Sequence, residues 1–227
     1  MDLTQDVGIL FRAPMIRAIL SGRKTHTRRI MKPQPSSTHF GVGYFSPRKT
    51  YRTGEEIPGE EVYGAFAEDW HVRCPYGAPG TKLWVRENFW ERPNVTLGEM
   101  REGADTWPAY AYAADDHDFA ELKRFGYRQR PSIHMPKSLC RIWLTITSIR
   151  CERLQDISEE DAKAEGVEPG CLTCGENCID FGGCGYCRPA YRDSFAGLWQ
   201  EINGRESWDA NPWVWVIQFQ REINNGS

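Results

Sequence analysis

Two short segments of this 227-residue chain hold residue types at spacings that chemistry can use. The first reads Gly22-Arg23-Lys24-Thr25-His26-Thr27-Arg28-Arg29, which puts an amine, two hydroxyls and three guanidiniums within one turn of chain. It lies in a stretch from Val7 to Gly54 that has ten Lys and Arg and no Asp or Glu, whereas the whole chain has 28 basic and 31 acidic residues and a net charge of -3. A one-signed patch concentrates anions and steers them in, which points to a phosphate-bearing partner. A solubilising basic face is the alternative reading of the same charge pattern. The second segment reads Cys171-x-x-Cys174, Cys178, Cys184-x-x-Cys187 among glycines. Four thiolates close a tetrahedral shell, so we expect one structural zinc on Cys171, Cys174, Cys184 and Cys187, with Cys178 as an alternative ligand. Such a shell leaves no open position for a reacting water, so the metal would hold the loop. An iron-sulfur cluster takes the same ligands at a less suggestive spacing, and a reduced, metal-free loop is the third reading. Cys74, Cys140 and Cys151 stand alone and are expected to be buried.

Composition fixes the setting. A hydrophobic content of 40% with nine Trp supplies a packed core for one large domain. No apolar run approaches the roughly 20 residues that span a bilayer, and the N-terminus lacks the pattern of a signal peptide, so no membrane partner and a cytoplasmic location are expected. In that compartment thiols are kept reduced, which is why the cysteines are read for metal rather than for disulfides.

The elements that must position these segments follow from periodicity. Pro14 to Leu20 has Pro at a first helical position and stops at Ser21-Gly22, so a short helix leads into the basic motif. Residues 31–80 are rich in Pro, Gly, Ser and Tyr and read as long loops with room for one hairpin. Pro79-Gly80 turns the chain into an apolar strand from Leu83 to Trp90, and Tyr110 to Ala113 is a shorter strand. The alternation of Ile142, Leu144 and Ile146 with Trp143, Thr145 and Thr147 marks the clearest strand, from Cys140 to Glu152. Ser158 caps a helix with acidic residues in its first turn and an end at Gly166. Tyr191 to Ile202 has the spacing of an amphipathic helix, and Pro212 opens a final buried strand through Phe219. Short strands, a few helices and long loops predict a small α+β barrel with insertions.

Three pieces together resemble the ASCH superfamily, whose members have a PUA-like β-barrel. They are the helix running into Gly22-Arg23-Lys24-x-x-Thr27-x-Arg29, the turn Pro79-Gly80 before Leu83-Trp84-Val85-Arg86, and the span from Leu154 to Gly166 before a hydrophobic strand. Leu10-Phe11-Arg12-Ala13-Pro14-Met15 and Trp208-Asp209-Ala210-Asn211-Pro212-Trp213-Val214-Trp215 are similar to the phage and prophage group of these proteins. The resemblance implies a single ASCH-like domain over residues 1–227, with a core of about 8–221, a loop insertion of about 31–78 and the cysteine-rich insert at about 168–190. One branch of the superfamily comprises bacterial N4-acetylcytidine amidohydrolases, which use a Lys, a Thr and a Glu; the resemblance carries these roles onto Lys24, Thr27 and Glu165. Many members have Glu where Thr27 stands, and this chain is about twice the length of the minimal enzymes, so the substrate need not be the same and a related N-acyl compound is also a candidate.

Hydrolysis of an N-acyl bond needs a nucleophile, a group that holds the oxyanion and a proton for the departing nitrogen. Thr27 would attack or position water. Lys24 would act as base if burial and neighbouring arginines lower its pKa, and otherwise would stabilise the oxyanion. Glu165 would protonate the leaving nitrogen or align water. Gly22, Arg29, Arg86 and His134 are the expected substrate-binding positions, with arginine suited to anionic oxygens. Lys24 and Thr27 point to opposite faces of a regular strand, so a shared pocket demands a turn or bulge between Gly22 and Thr25. Tyr110, Tyr112, Trp84 and Trp90 read as a base-stacking platform or, more simply, as core. A non-catalytic module that holds RNA or another nucleic acid in the same basic cleft is the competing function, and a zinc-stabilised factor that binds protein is a weaker third.

Overall fold

In a computed structural model the chain is described at residues 6–36, 39–50, 54, 56–92, 109–169 and 190–222. The elements in order are β1 (Val7–Leu10), α1 (Ala13–Leu20), β2 (His26–Ile30), β3 (Gly41–Phe45), β4 (Arg48–Thr50), β5 (Glu56–Pro58), β6 (Val62–Phe66), β7 (His71–Arg73), β8 (Lys82–Arg86), β9 (Phe89–Glu91), β10 (Tyr110–Tyr112), α2 (Phe119–Arg124), β11 (Arg128–Arg130), β12 (Trp143–Arg153), α3 (Glu159–Ala164), α4 (Tyr191–Asn203) and β13 (Trp213–Arg221). This is a mixed α+β arrangement dominated by sheets.

The central sheet has the order β1-β8-β12-β13-β2, with β1 parallel to β8 and the other neighbours antiparallel. Trp213-Val214-Trp215-Val216-Ile217 shows no polar alternation because β13 is buried on both sides. Trp215, Ile217 and Phe219 face the main core with Leu83, Leu144 and Ile146, while Val214 and Val216 face α3 and α4 with Leu154, Phe195 and Trp199. Each such side chain contributes about 1.5–3 kcal/mol by leaving water.

The expected small barrel is not closed. β1 and β2 are the two edges of an open sheet, and among the described residues no backbone pairing joins them. α1 connects the two edge strands and buries Ile16 and Ile19 in the main core, and a side chain rather than a backbone pair bridges the edges, Arg29 Nη2 donating to Leu10 O at 2.7 Å.

Two further expectations need correction. Residues 31–80 do not form long loops: they build the sheet β3-β6-β7 and the hairpin β4-β5. Their apolar signal is weak because few side chains of the three-stranded sheet are fully buried, Ala65 and Val72 among them. The run from Leu83 to Trp90 is two strands, since the chain breaks at Glu87-Asn88 and β9 joins β10 and β11 in a separate sheet. The break is held by polar groups: buried Glu87 accepts from Arg141 at 2.8 Å, and Asn88 Oδ1 accepts from the Ser132 N–H at 2.8 Å. Burial pushes the Glu87 carboxyl above its ordinary range while Arg141 opposes the shift.

The zinc ligands expected at Cys171, Cys174, Cys184 and Cys187, and Cys178, lie outside the described residues. Cys74 is buried, whereas Cys140 and Cys151 are half-buried. Burial raises the Cys74 thiol to about 11 and the Cys151 thiol to about 12, so neither is a nucleophile near neutral pH. Among the described residues no helix is long and apolar enough to cross a membrane.

Candidate active site

The basic motif is bent before it becomes a strand. Gly22 adopts φ +76°, a conformation that L side chains rarely take, and the next residues are pinned by Lys24 N–H to Ala18 O at 3.0 Å and Thr25 N–H to Ala164 O at 2.8 Å. Lys24 therefore sits between the ends of α1 and α3, and β2 begins only at His26. The alternation that would separate Lys24 from Thr27 does not apply.

Glu165 is delivered from the other side. Ser158 caps α3 by accepting from the Asp161 N–H at 3.0 Å, three acidic residues occupy its first turn, and the helix closes on Glu165 and Gly166. Gly166 has φ +84°, and a Cβ there would stand 2.8 Å from the Cβ atoms of both Ala18 and Lys24. Only glycine lets the two helix ends approach this closely. Gly166→Ala is expected to cost about 2 kcal/mol or more in urea unfolding, from left-handed strain and the clash together.

The contact formed there is a buried ion pair. Lys24 Nζ donates to Glu165 Oε2 at 2.6 Å, to Glu165 O at 2.8 Å and to His26 O at 2.8 Å. The other carboxylate oxygen, Glu165 Oε1, accepts from Arg28 Nη1 at 3.2 Å. Arg28 Nη2 also reaches Glu152 Oε1 at 2.5 Å and Asp161 Oδ2 at 2.7 Å, and Arg150 binds both of these carboxylates. Three cations thus meet three carboxylates, and Lys24, Arg28 and Glu165 are each under 5% exposed. Burial pulls the Lys24 ammonium below its ordinary 10.5; Glu165 opposes the shift, and Arg29 and Arg28 add to it. Burial likewise lowers the His26 imidazole below 6.5.

A cleft of about 460 Å³ opens beside this pair, a size suited to a small ligand. Its wall includes Thr27, Arg29, Tyr76, Glu165, Trp199 and Trp215. Thr27 is 3% exposed, and among the described residues nothing is hydrogen-bonded to its hydroxyl. Lys24 lies behind the wall and reaches the cleft through Glu165. Because β2 is an edge strand, half of its backbone faces the opening. Phe219 N–H to Thr25 O at 2.9 Å and Met31 N–H to Trp213 O at 3.0 Å set the register, which turns Thr27 and Arg29 backbone groups toward β13 and those of Arg28 and Ile30 outward.

The other expected binding residues separate. Arg29 lines the cleft, donates to Leu10 O at 2.7 Å and lies over the Phe11 ring. Gly22 shapes the turn. Arg86 lies over Trp84 and donates to the carbonyls of Ser132 and Ile133, so it holds a neighbouring loop and is not part of this wall. His134 is exposed in a short 3-10 turn away from it. Trp90 is buried with Ala111 in a satellite core, and Tyr112 lies under Arg141, so these aromatics form no common platform. Sequence reasoning took Arg28 only as a neighbour that lowers the Lys24 pKa and passed over Arg150, Glu152 and Asp161 as site residues. A signal was present: Asp161 and Glu165 are four apart on one helix, and Arg150 and Glu152 are two apart on one strand, which puts each pair on one face.

No protein-family model, curated protein or solved structure matches the chain.

Proposed function

We propose that this chain is an ASCH-type protein of PUA-like fold that hydrolyses the N-acyl bond of a modified nucleoside such as N4-acetylcytidine, or of a related N-acyl compound. The observation that carries this reading is the 2.6 Å contact between Lys24 and Glu165 behind a cleft whose wall displays Glu165 and Thr27. An ammonium already disposed to lose its proton, in contact with a carboxylate, allows the pair to share that proton in either sense. Thr27 Oγ1 attacks the acyl carbon and gives its proton to Glu165 as the shared proton returns to the Lys24 amine. Glu165 then passes the proton taken from Thr27 to the departing nitrogen as the C–N bond breaks. Water then cleaves the acyl-threonine ester and regenerates the hydroxyl. Arg29 supplies charge to the substrate's oxygens.

The shared proton gives a pH dependence of definite sign. Activity is lost as pH rises through the Lys24 pKa, and because burial lowers that pKa the limb falls below 10.5. A plot of kcat against pH that stays flat to 10.5 excludes this role for Lys24. The direct test is incubation of the purified protein with N4-acetylcytidine and neighbouring N-acyl nucleosides. Wild type should release the acid and Lys24→Met should not.

One observation favours a second reading, a non-catalytic module that holds an RNA base in the cleft. All three ammonium hydrogens of Lys24 are already engaged by His26 O, Glu165 O and Glu165 Oε2. Under that reading wild type releases no acid, and Arg29→Gln weakens oligonucleotide binding. For the cysteine insert we propose one structural zinc, resting on the spacing of the thiols. Elemental analysis should give one zinc per chain and none in Cys171→Ser/Cys174→Ser; a metal-free wild type ends the proposal.

A further inference from the structure

The cleft beside Glu165 is built on a sheet edge. Its floor is β2, whose Arg28 and Ile30 turn both N–H and C=O outward, and among the described residues none of these four groups has a partner. α4 forms one side with Leu198 and Ile202, and Met15, Pro75 and Tyr76 form the other. The α4 part of the wall runs from Phe195 to Asn203, about 12 Å at the rise of a helix. That length matches about three to four extended residues. An occupant that covers the edge without bonding to it leaves buried main-chain groups unsatisfied, and each costs more than a hydrogen bond is worth. A flat base meets the N–H and C=O of one residue only. An antiparallel strand of about three residues exchanges two bonds with Arg28 and two with Ile30.

The two faces of β2 define what such a strand carries. Opposed residues of neighbouring strands share a face, so residues opposite Arg28 and Ile30 present their side chains to the α4 side, where Leu198 and Ile202 are apolar. The residue between them faces Arg29 and Tyr76. Among the described residues Arg29 and Lys32 pair with no carboxylate, and Glu165, the one acid of the wall, is held by Lys24 and Arg28. An apolar, acidic, apolar order fits this wall. We infer that the cleft takes an extended peptide segment of that order, added to β2 as a further strand, and that the N-acyl compound of this site is the acylated amino end of such a peptide. The second clause rests on the proposed hydrolysis; the strand addition does not. In that reaction the acyl C–N bond breaks, and water gives its hydroxyl to the acid and its remaining hydrogen to the freed amine.

The test is isothermal titration calorimetry of the full chain with the capped tripeptide acetyl-leucyl-glutamyl-leucine amide and its backbone N-methyl forms. Wild type should bind the parent peptide. A methyl on the nitrogen of either leucine removes a donor to β2 and should weaken binding about tenfold, whereas one on the glutamate nitrogen, which points away from β2, should leave it within about twofold. Replacing the glutamate by glutamine should weaken binding about fivefold to wild type and less to Arg29→Gln. On the protein side, Ile30→Pro removes one outward N–H at an edge position, where proline is tolerated, and should bind about tenfold more weakly than Ile30→Val. Absence of wild-type binding at about 5 mM peptide overturns the inference, and so does equal tolerance of all three methyl groups. A dimer in sedimentation that Ile30→Pro dissolves also overturns it, since β2 of a second copy then holds the edge. If N4-acetylcytidine is hydrolysed and the peptide neither binds nor competes, the hydrolytic reading stands and this one falls. A peptide that binds in the expected methylation pattern but releases no acid keeps the strand addition and overturns its second clause.

Discussion

Glu165→Ala lowers the unfolding free energy by about 3–5 kcal/mol, the usual result of stripping one partner from a buried ion pair. The loss arises because Lys24 and Arg28 are left facing an empty site, and neither has access to water, being 2% and 3% exposed. The comparison that isolates burial is Glu168→Ala. Glu168 pairs with Arg23 at 2.8 Å, a normal distance, but both side chains are about half exposed or more, so the change should be under about 1 kcal/mol. Removing both charges restores much of what one removal costs: Lys24→Met/Glu165→Gln leaves a neutral amide that still accepts from Arg28. Urea titrations of the four proteins check this. A Glu165→Ala variant as stable as Glu168→Ala would mean that water reaches the pair, and the lowered Lys24 pKa would lose its cause.

If the proposed hydrolysis holds, Thr27→Val is expected to lower acid release on the order of a thousandfold while leaving the fold intact. Valine keeps the β-branched shape that suits β2, packed opposite Ile217, and removes only Oγ1. Since that hydroxyl bonds to no described residue, its loss leaves no partner unsatisfied, and stability should stay within about 0.5 kcal/mol. Thr27→Ser should retain measurable activity. Single-turnover acid release and urea unfolding on the same preparations separate the two effects. Valine with wild-type turnover would remove Thr27 from the chemistry and leave only a water-positioning role for the cleft.

The ends of the chain's strongest elements were legible because one rule governs each. α1 lies within a residue of the span set by Pro14 and Gly22, and α4 matches the apolar spacing from Tyr191. The central strands were legible through alternation in β12 and continuous apolarity in β13. The insertion was not, because a sheet with glycines on its outer face gives no hydrophobic pattern to read. The open sheet was not legible either: closure depends on whether two distant edges pair, and no local pattern encodes that. At the site, the turn at Gly22 and the helix end at Gly166 were legible from the motif and the cap pattern, but the close approach of the two helix ends that joins Lys24 to Glu165 appears only when both are placed. Arg86 shows the opposite case. A basic residue beside a motif has as much reason to tie down a loop as to greet a ligand, and two carbonyls of the neighbouring loop decided the matter.

The outward-turned main chain of Arg28 and Ile30 bears on how recognition in this molecule is surveyed. Amide and carbonyl groups persist through every side-chain replacement, so alanine scanning along that strand will undercount what grips an occupant. Deleting the amide hydrogen itself, by an ester linkage at position 28 or 30 introduced through semisynthesis, exposes that hidden share.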